Sequence, residues 1–312
     1  MGVPVFSGDD VGRAVAPHEA YEAVKAAFVA HARGEWTMQP KLYVSNYPAG
    51  DFRAMPALGG GHALLKWVTS FPGNPTKGLP TVTGLVILSN AETGQLEALF
   101  DAAAVTAVRT AAAGALAAQT LARAGAESVA VIGCGVNGAE TARMFRALGS
   151  DVALWDVDEA RAAAVADYLG ARVAPSLADA LDSDIVVTVT PGKEVVIPSG
   201  TLRIGQHVSL MGADGPGKAE IALKELERAD LFCDDWEQAS HGGELAAGVA
   251  AGIVTRDRVT ELGRVLAGQV DGRRSAEDIT LFDSTGLAIQ DLAIAIAALA
   301  KADALGVPRL TL

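Results

Sequence analysis

The sequence predicts an α/β fold in which a doubly wound parallel sheet is joined to a smaller α+β part. After Gly125, continuous apolar runs bounded by turn residues alternate with helical stretches, which is typical of parallel strands buried on both faces. Before residue 102, short extended segments follow one another with Gly-, Pro- and Asn-rich turns between them, which indicates an antiparallel or mixed sheet. A glycine-rich turn joins the first strand and the first helix of the alternating region. These observations favour two parts of different architecture.

The N-terminal part is predicted to contain a helix followed by several strands. Pro17 begins the helix, residues 17–34, because apolar residues recur there at helical spacing and proline suits a first helical turn. The predicted strands are residues 41–46, 51–58, 62–71, 81–90 and 95–101. Residues 90–94 between the last two predict a hairpin loop. An Ala- and Leu-rich stretch at residues 102–124 then predicts a long helix.

The part after Gly125 is predicted to alternate between strands and helices. The predicted strands are residues 128–133, 151–156, 172–174, 184–190, 207–212 and 230–235. Helices are predicted at residues 138–148 and 159–169, and an Ala-rich helix at residues 284–305 ends the pattern. Such alternation predicts a doubly wound parallel sheet with helices on both faces.

Composition and charge exclude several classes of protein. The chain of 312 residues carries a formal charge of −12, whereas nucleic-acid binders need a basic surface. It has no apolar run of the roughly 18 residues that a membrane span needs, and its N-terminus lacks the pattern of a signal peptide. Two cysteines are too few for a disulfide framework, and the five histidines lack metal-ligand spacing. We therefore expect a cytoplasmic protein that binds neither nucleic acid nor membrane and holds no metal.

The strongest motif is the glycine-rich turn VAVIGCGVNG at residues 129–138. Gly133, Gly135 and Gly138 form G-x-G-x-x-G directly after an apolar strand and before a helix, and Val136 and Asn137 complete the loop. In this motif the first glycine permits a tight turn, and the second lets a pyrophosphate approach the backbone. The third lets the helix pack closely on the strand. The motif predicts a Rossmann domain that binds a dinucleotide, the alternative being a plain strand–turn–helix connection.

Asp156 predicts NAD rather than NADP as that dinucleotide. It ends the next predicted strand about twenty residues after Gly133, where Rossmann domains carry an acid that binds the adenosine ribose. A carboxylate there accepts hydrogen bonds from the ribose hydroxyls and repels a 2′-phosphate. Asp158 adds a second negative charge, and the first nearby base, Arg161, comes a helical turn later.

Several further motifs occur along the chain in a fixed order. They are K-x-V at residues 66–68, P-x-N, T-G, R-T-A-A at residues 109–112, the glycine loop, and M-G-A-D at residues 211–214. With these motifs the sequence closely resembles the ornithine cyclodeaminase/mu-crystallin family over essentially its whole length. The resemblance implies a homodimer of two-domain subunits that transfer hydride between a nicotinamide and the α-carbon of an amino acid or its imine. It implies a substrate-binding and dimerisation domain (1–112 with 287–312) and a Rossmann NAD-binding domain (113–286).

The resemblance also implies the residues of the active site. Lys66 corresponds to the family's active-site lysine, and it is the lone charge in the apolar run LLKWV, where an ion is costly unless it is paired or functional. Arg109 corresponds to the arginine that binds the substrate carboxylate through two parallel donors. Asp214 corresponds to the general acid–base that handles the proton on nitrogen or on an attacking water. The further cofactor-binding residues that it implies are Thr110, Thr190, Met211 and Ser284.

Two substrate-binding positions depart from the cyclodeaminase pattern. Arg53, in the string R-A-M-P, aligns with an acid that meets the distal ammonium of ornithine in cyclodeaminases, whereas alanine dehydrogenase-like members carry arginine there. An arginine repels that ammonium and attracts a carboxylate. Lys41 aligns with an arginine that contacts the substrate carboxylate in many relatives, and a lysine supplies the charge but not the two-donor fork.

The sequence thus predicts an NAD-dependent oxidoreductase that interconverts a small or acidic L-amino acid and its 2-oxo acid or imine. Alanine dehydrogenase, iminosuccinate reductase and ketimine reductase are activities of this type. One alternative is an ornithine cyclodeaminase, an ammonia-lyase that uses NAD catalytically, and Arg53 weighs against it. The other is a non-catalytic, mu-crystallin-like protein that binds a dinucleotide and a small ligand. The presence of Lys66, Arg109 and Asp214 favours catalysis over the second alternative.

Overall fold

The structure, a computed structural model, describes residues 2–215 and 217–311, and the chain divides into two compact units. Unit 1 comprises the chain up to Arg109 and from Leu287 onward, and unit 2 comprises Thr110–Gly286. The first boundary therefore falls at 109/110, inside a helix, where the resemblance implied 112/113. The second falls at 286/287.

Unit 1 contains a mixed β-sheet. Its strands, numbered along the whole chain, are β1 (Val3–Phe6), β2 (Thr37–Met38), β3 (Leu42–Asn46), β4 (Gly50–Gly59), β5 (His62–Ser70), β6 (Val82–Asn90), β7 (Leu96–Asp101) and β16 (Arg309–Leu310). Their order among the described residues is β16-β1-β7-β6-β5-β4-β2, and β3 also pairs with β4. Neighbours from β3 to β7 are antiparallel, whereas β1 lies parallel to β7. The predicted antiparallel or mixed sheet is confirmed, and so is the hairpin between β6 and β7.

Helices cover one face of this sheet. They are α1 (Gly8–Ala14), α2 (Pro17–Ala32), the start of α3 (Ala102–Leu121) and α11 (Ala288–Leu299). Helix α11 packs against β4, β5 and α2. Because successive strand residues face opposite sides, Met55, Lys66 and Val68 are buried on one face of the sheet, and Leu65 and Trp67 are partly exposed on the other.

Unit 2 contains a parallel sheet of the Rossmann type. Its strands are β8 (Ser128–Ile132), β9 (Asp151–Trp155), β10 (Arg172–Val173), β11 (Ile185–Thr188), β12 (His207–Leu210), β13 (Asp230–Cys233), β14 (Val259–Glu261) and β15 (Thr280–Asp283). Their order is β10-β9-β8-β11-β12-β15-β13-β14, with parallel pairing throughout the described residues. The direction of winding reverses between β8 and β11, which is where ligands bind in such sheets. The predicted fold class is confirmed.

The helices of unit 2 connect its strands. They are α4 (Val136–Ala147), α5 (Glu159–Leu169), α6 (Leu177–Leu181), α7 (Glu225–Arg228), α8 (Trp236–Gly242), α9 (Leu245–Ala250) and α10 (Leu262–Leu266). The core consists mainly of Ala, Val, Leu and Ile, and every residue of β11, β12 and β15 is buried. Continuous apolar runs are what strands buried on both faces require.

The predicted C-terminal helix at residues 284–305 is wrong in its bounds. Residues 280–283 form the unpredicted strand β15, and the helix begins at Ala288 and ends at Leu299. Residues 284–286 form a loop in which Gly286 has a φ of 81°, and the loop is held by hydrogen bonds to Asp234. Ser284 therefore lies in a loop after a strand rather than in a helix.

Candidate active site

The glycine loop connects β8 to α4, and its first and third glycines are required by packing. Gly133 has a φ of 98°, and a Cβ there would lie 2.7 Å from the Val189 carbonyl oxygen. A Cβ on Gly138 would lie 1.8 Å from the Gly133 carbonyl oxygen. A larger residue at Gly138 would therefore push α4 away from the end of β8, and one at Gly133 would push the loop away from Val189, which follows β11.

Gly135 differs because its surroundings are open. A Cβ on Gly135 would have no described neighbour within 4 Å, and Gly135 is the N-cap of α4 without a side-chain hydrogen bond. The first N–H groups of a helix, here those of Val136 and Asn137, have no partner within the helix and attract an anion. The loop and the helix terminus together fit the pyrophosphate of a dinucleotide.

Asp156 follows β9 beside this loop and is 7 % exposed. Its Oδ2 accepts the Cys134 N–H at 2.6 Å, and its Oδ1 accepts the Asp158 N–H at 2.8 Å. The Arg161 guanidinium lies 3.5 Å from Asp156 and 3.1 Å from Asp158. The base nearest the ribose position is thus paired with two carboxylates, an arrangement that favours an unphosphorylated ribose.

Four other predicted site residues of unit 2 follow neighbouring strands of the sheet. Thr190 follows β11, Met211 and Asp214 follow β12, and Ser284 follows β15. The carboxyl ends of parallel strands meet at one edge, so these residues share an edge with the glycine loop. Met211 is buried, and Ser284 donates a hydrogen bond to Asp234 at 3.3 Å.

Glu220 fixes two of these loops to each other. One of its carboxylate oxygens accepts the N–H and the hydroxyl of Thr190, at 2.8 and 2.7 Å. The other accepts the Gly212 N–H and the Thr188 hydroxyl, both at 2.7 Å. Burial raises the pKa of Glu220, although these four donors oppose the rise. Sequence reasoning assigned Glu220 no role.

Asp214 and Thr110 complete the predicted residues of unit 2. Asp214 is partly buried, and its Oδ1 lies 2.5 Å from the Lys218 ammonium nitrogen. Thr110 lies in α3, is 3 % exposed, and its hydroxyl has no hydrogen-bond partner among the described residues. An unpaired buried hydroxyl of this kind is suited to a polar ligand.

In unit 1, Lys66 projects from β5 on the face covered by α11. It is 1 % exposed, and its Nζ lies 2.9 Å from Asp291 Oδ1 and 2.6 Å from Thr106 Oγ1. Burial lowers the pKa of Lys66 to about 8, and the Asp291 carboxylate opposes this shift. The Arg109 and Arg53 guanidinium groups act in the same direction as burial.

Arg109 lies in α3 beside the same carboxylate. Its Nε is 3.6 Å from Asp291 Oδ1, and its Nη1 donates to Gln290 Oε1 at 3.3 Å. Among the described residues, Arg109 Nε, Gln290 Nε2 and Asp291 Oδ2 are buried without a hydrogen-bond partner. Buried polar atoms are nearly always paired in folded proteins, so three unpaired ones in one cluster indicate a site for a polar ligand.

Arg53 lies on the same face of the sheet as Lys66, since Met55 pairs with Lys66 and Arg53 is two residues earlier in β4. It is 7 % exposed and its Nε lies 2.6 Å from Asp51 Oδ1. Asp51 partly neutralises Arg53, so the repulsion of an ornithine ammonium is weaker than the sequence suggests. Lys41 lies just before β3 and is partly buried.

Sequence reasoning missed the acidic partners in unit 1, Asp51 and Asp291. Asp291 had a usable signal, because it is the only acid in the helix AIQDLAIAIAAL, as Lys66 is the only charge in LLKWV. A lone charge in each of two apolar elements predicts that the two pair.

Residues 2–215 and 217–311 contain no group of three or more His, Cys, Asp or Glu residues arranged to hold a metal ion. In the same residues, every helix is too short or too polar to cross a bilayer.

Comparison of the sequence with known proteins finds a matching family and several similar proteins. The model of the ornithine cyclodeaminase/mu-crystallin family matches residues 5–304. An alanine dehydrogenase of Archaeoglobus fulgidus is 42% identical over 304 residues, covering 95% of this chain and 94% of the relative. An iminosuccinate reductase of Paracoccus denitrificans is 31% identical over 324 residues, covering 97% and 98%.

A solved structure agrees with these matches. It is described as an archaeal alanine dehydrogenase dimer with bound NAD, and it superposes with a TM-score of 0.94 at 39% identity. The superposition covers 100% of this chain and 99% of that one. With its Rossmann sheet, its glycine loop and the buried Lys66 cluster, the chain belongs to the ornithine cyclodeaminase/mu-crystallin family.

Proposed function

We propose that this protein is an NAD-dependent oxidoreductase that interconverts a small L-amino acid and its 2-oxo acid or imine, with alanine and pyruvate as the first candidates. The observation that carries the proposal is the buried cluster of Lys66, Asp291 and Arg109, which combines a polarising ammonium with a carboxylate-binding guanidinium. The similarity to an alanine dehydrogenase over 95% of the chain supports the same reaction.

The residues of unit 1 bind and polarise the substrate in this proposal. Arg109 holds the substrate carboxylate, aided by Arg53 and Lys41, because a guanidinium offers two parallel donors to a carboxylate. Lys66 donates a hydrogen bond to the oxo or imino group, which draws electron density away from the carbon that accepts hydride.

The residues of unit 2 hold the dinucleotide. The glycine loop with Gly135 binds the pyrophosphate, Asp156 binds the ribose, and Thr110, Thr190, Met211 and Ser284 contact the rest of the cofactor. When bound, NADH supplies the hydride. Asp214 holds and transfers the proton while ammonia adds to the 2-oxo acid and water leaves.

Charge balance favours a monocarboxylate substrate. The Lys66 cluster has three cations: Lys66, Arg53 and Arg109. Among the described residues of unit 1, Asp51 and Asp291 balance two of them, so one positive charge is left when the half-buried Lys41 is not counted. A single substrate carboxylate would neutralise it, because an unbalanced buried charge is costly. A dicarboxylate such as the imine of oxaloacetate is the second candidate, favoured by the 31% identity to an iminosuccinate reductase.

The exposed face of the unit 1 sheet supports a homodimer. Leu65, Trp67 and Leu85 lie side by side on β5 and β6, and each is 38–39% exposed. Adjoining exposed apolar side chains on a sheet typically mark a protein–protein interface. The similarity to a protein described as an alanine dehydrogenase dimer supports a dimer as such.

The proposal is tested by NADH oxidation with ammonia or methylamine and a panel of pyruvate, glyoxylate and oxaloacetate. We expect the highest kcat/KM with pyruvate and little release of ammonia from ornithine. Lys66→Ala and Asp214→Ala should each lower turnover at least about a hundredfold while NADH binding is retained. Lys77→Ala, at an exposed lysine of the same unit, serves as the control. Efficient conversion of ornithine to proline without net NADH change would instead identify a cyclodeaminase.

A further inference from the structure

Asp291 is a fully buried acid in a helix that is otherwise almost entirely apolar. Helix α11 consists mainly of Ala, Leu and Ile, and Asp291 is 0% exposed within it. An ionised carboxylate in such surroundings is costly unless a cation and hydrogen bonds compensate for the lost hydration. The position of Asp291 therefore depends on its partners.

Those partners are two of the cations of the candidate substrate site, Lys66 and Arg109. Asp291 Oδ1 lies 2.9 Å from Lys66 Nζ and 3.6 Å from Arg109 Nε, so one oxygen atom contacts both groups. The charged groups that act on Lys66 come from three elements: Asp291 from α11, Arg109 from α3 and Arg53 from β4. Val86 of β6, which pairs with Lys66 across the sheet, is apolar. Asp291 therefore raises the pKa of Lys66, whereas the two guanidinium groups lower it.

The ammonium group of Lys66 is also fixed in direction. Thr106 donates its hydroxyl proton to the Ala102 carbonyl at 2.5 Å, so its oxygen accepts from Lys66. Asp291 accepts a second N–H of Lys66. An ammonium has three N–H groups, so one is left for a bound oxo or imino group.

We propose that Asp291 is a positioning residue that keeps Lys66 protonated and directs its remaining N–H toward the substrate. The reference to a substrate rests on the proposed function, whereas the effect on the charge of Lys66 does not. Burial holds the pKa of Lys66 near 8, and without the Asp291 carboxylate both guanidinium groups would lower it further. Lys66 would then lose its proton at a lower pH and be a poorer polarising group.

The proposal is tested by the titration of Lys66 in the full-length protein without substrate. The 13Cε signal of Lys66 in lysine-labelled protein, assigned by its loss in Lys66→Arg, is followed by NMR from pH 5 to 10. We expect a midpoint near 8 in the wild type and a decrease of at least about one pH unit in Asp291→Asn. Asp303→Asn, at an exposed acid of the same unit, should leave the midpoint unchanged.

A second variant separates charge from mere structural support. Asp291→Glu retains the carboxylate, so Lys66 in this variant should titrate within about half a pH unit of its midpoint in the wild type. This variant also tests the proposal if Asp291→Asn does not fold. Any one of three results would overturn the proposal: an unchanged Lys66 midpoint in Asp291→Asn, a midpoint in Asp291→Glu at least one pH unit below that of the wild type, or a wild-type midpoint below 7.

The pH dependence of turnover provides a further readout. If Lys66 acts in its protonated form, kcat/KM falls as the pH rises through about 8, and this alkaline limb moves to lower pH in Asp291→Asn. A purely structural defect would lower activity at every pH without moving the limb, which would contradict the assigned role. If the midpoint shifts while no 2-oxo acid is reduced, Asp291 keeps its assigned effect on Lys66 and the proposed function is wrong.

Discussion

At the scale of single residues, we expect Asp156 to determine which dinucleotide the proposed site accepts. Changing Asp156 to Ser removes the charge that would repel a 2′-phosphate and releases Arg161, which lies 3.5 Å away. We expect the wild type to bind NADH at least about tenfold more tightly than NADPH, and the variant to lose most of that preference. Fluorescence titration of both proteins with NADH and with NADPH measures the two affinities.

The control for this change is Asp151→Ser, at an exposed acid that begins β9. It should leave both affinities unchanged. Wild-type protein that binds NADPH as tightly as NADH would refute the role of Asp156.

The role of a residue could be predicted where its neighbours in the sequence indicate it. Lys66, as the lone charge in an apolar run, was expected to be paired or functional, and it is buried beside Asp291. That Arg53 lies on the same face of the sheet follows only from the pairing of β4 with β5. Their partners were less accessible, because Asp291 is 225 residues from Lys66 and only the fold brings them to 2.9 Å. Asp51, two residues from Arg53, was accessible, since strand periodicity places residues i and i+2 on one side.

At the scale of elements, the loop between β8 and α4 separates packing glycines from a ligand-facing glycine. Gly138→Ala should destabilise the protein, because its Cβ would lie 1.8 Å from a carbonyl oxygen. Gly135→Ala meets no described atom within 4 Å, so it should leave the melting temperature unchanged and weaken NADH binding about tenfold or more. Thermal unfolding and NADH titration of both variants distinguish the two roles.

The control is Gly12→Ala, in helix α1, where a Cβ would likewise meet no described atom within 4 Å. Gly149 has equally open surroundings, but its φ of 89° would strain an alanine, so it is less suitable. Equal losses of stability in Gly135→Ala and Gly138→Ala would contradict this division of roles.

Element boundaries were predictable where periodicity is strong and failed where distant contacts set the backbone. Helix α5 begins and ends where the sequence predicts, with Asp158 as its N-cap and Gly170 at its C-terminus. The loop before α11 could not be predicted in this way. It is fixed by hydrogen bonds from residues 284–286 to Asp234, which lies 50–52 residues earlier.

At the scale of the whole molecule, buried carboxyl groups make stability depend on pH. Burial raises the pKa of Glu244 to about 9 and that of Asp283 to about 8, far above their values in an unfolded chain. Between about pH 4.5 and 9 the folded state holds a proton on Glu244 that the unfolded state releases, so stability decreases as the pH rises.

Glu244→Gln removes this contribution because glutamine resembles the protonated acid and does not titrate. The melting temperature should decrease as the pH rises from 5 to 8, and we expect this decrease to be several degrees smaller in Glu244→Gln than in the wild type. Glu92→Gln, at an exposed acid of the hairpin loop, should behave as the wild type. Identical pH dependence in both variants would rule out a buried, protonated Glu244.

Assembly is the second property of the whole molecule. Trp67→Lys puts a charge in the exposed apolar face of the unit 1 sheet and should convert a dimer into monomers in analytical ultracentrifugation. Tyr168→Lys changes an exposed aromatic residue of unit 2 in the same way and should leave the dimer intact. A monomeric wild type, or a dimeric Trp67→Lys variant, would exclude this face as the interface.

Successive side chains of strand β5 lie on opposite faces of the sheet, and we propose a different function for each face. Lys66 lies on the side facing α11, and its neighbours Leu65 and Trp67 lie on the opposite side, which we propose as the dimer interface. Deleting Leu65 would move every following residue of β5 by one position and so to the other face of the sheet, because side chains alternate with a period of two. The Lys66 ammonium would then lie on the proposed interface face and the Trp67 indole beside Asp291, so we expect this deletion to abolish the proposed chemistry and the proposed dimer together.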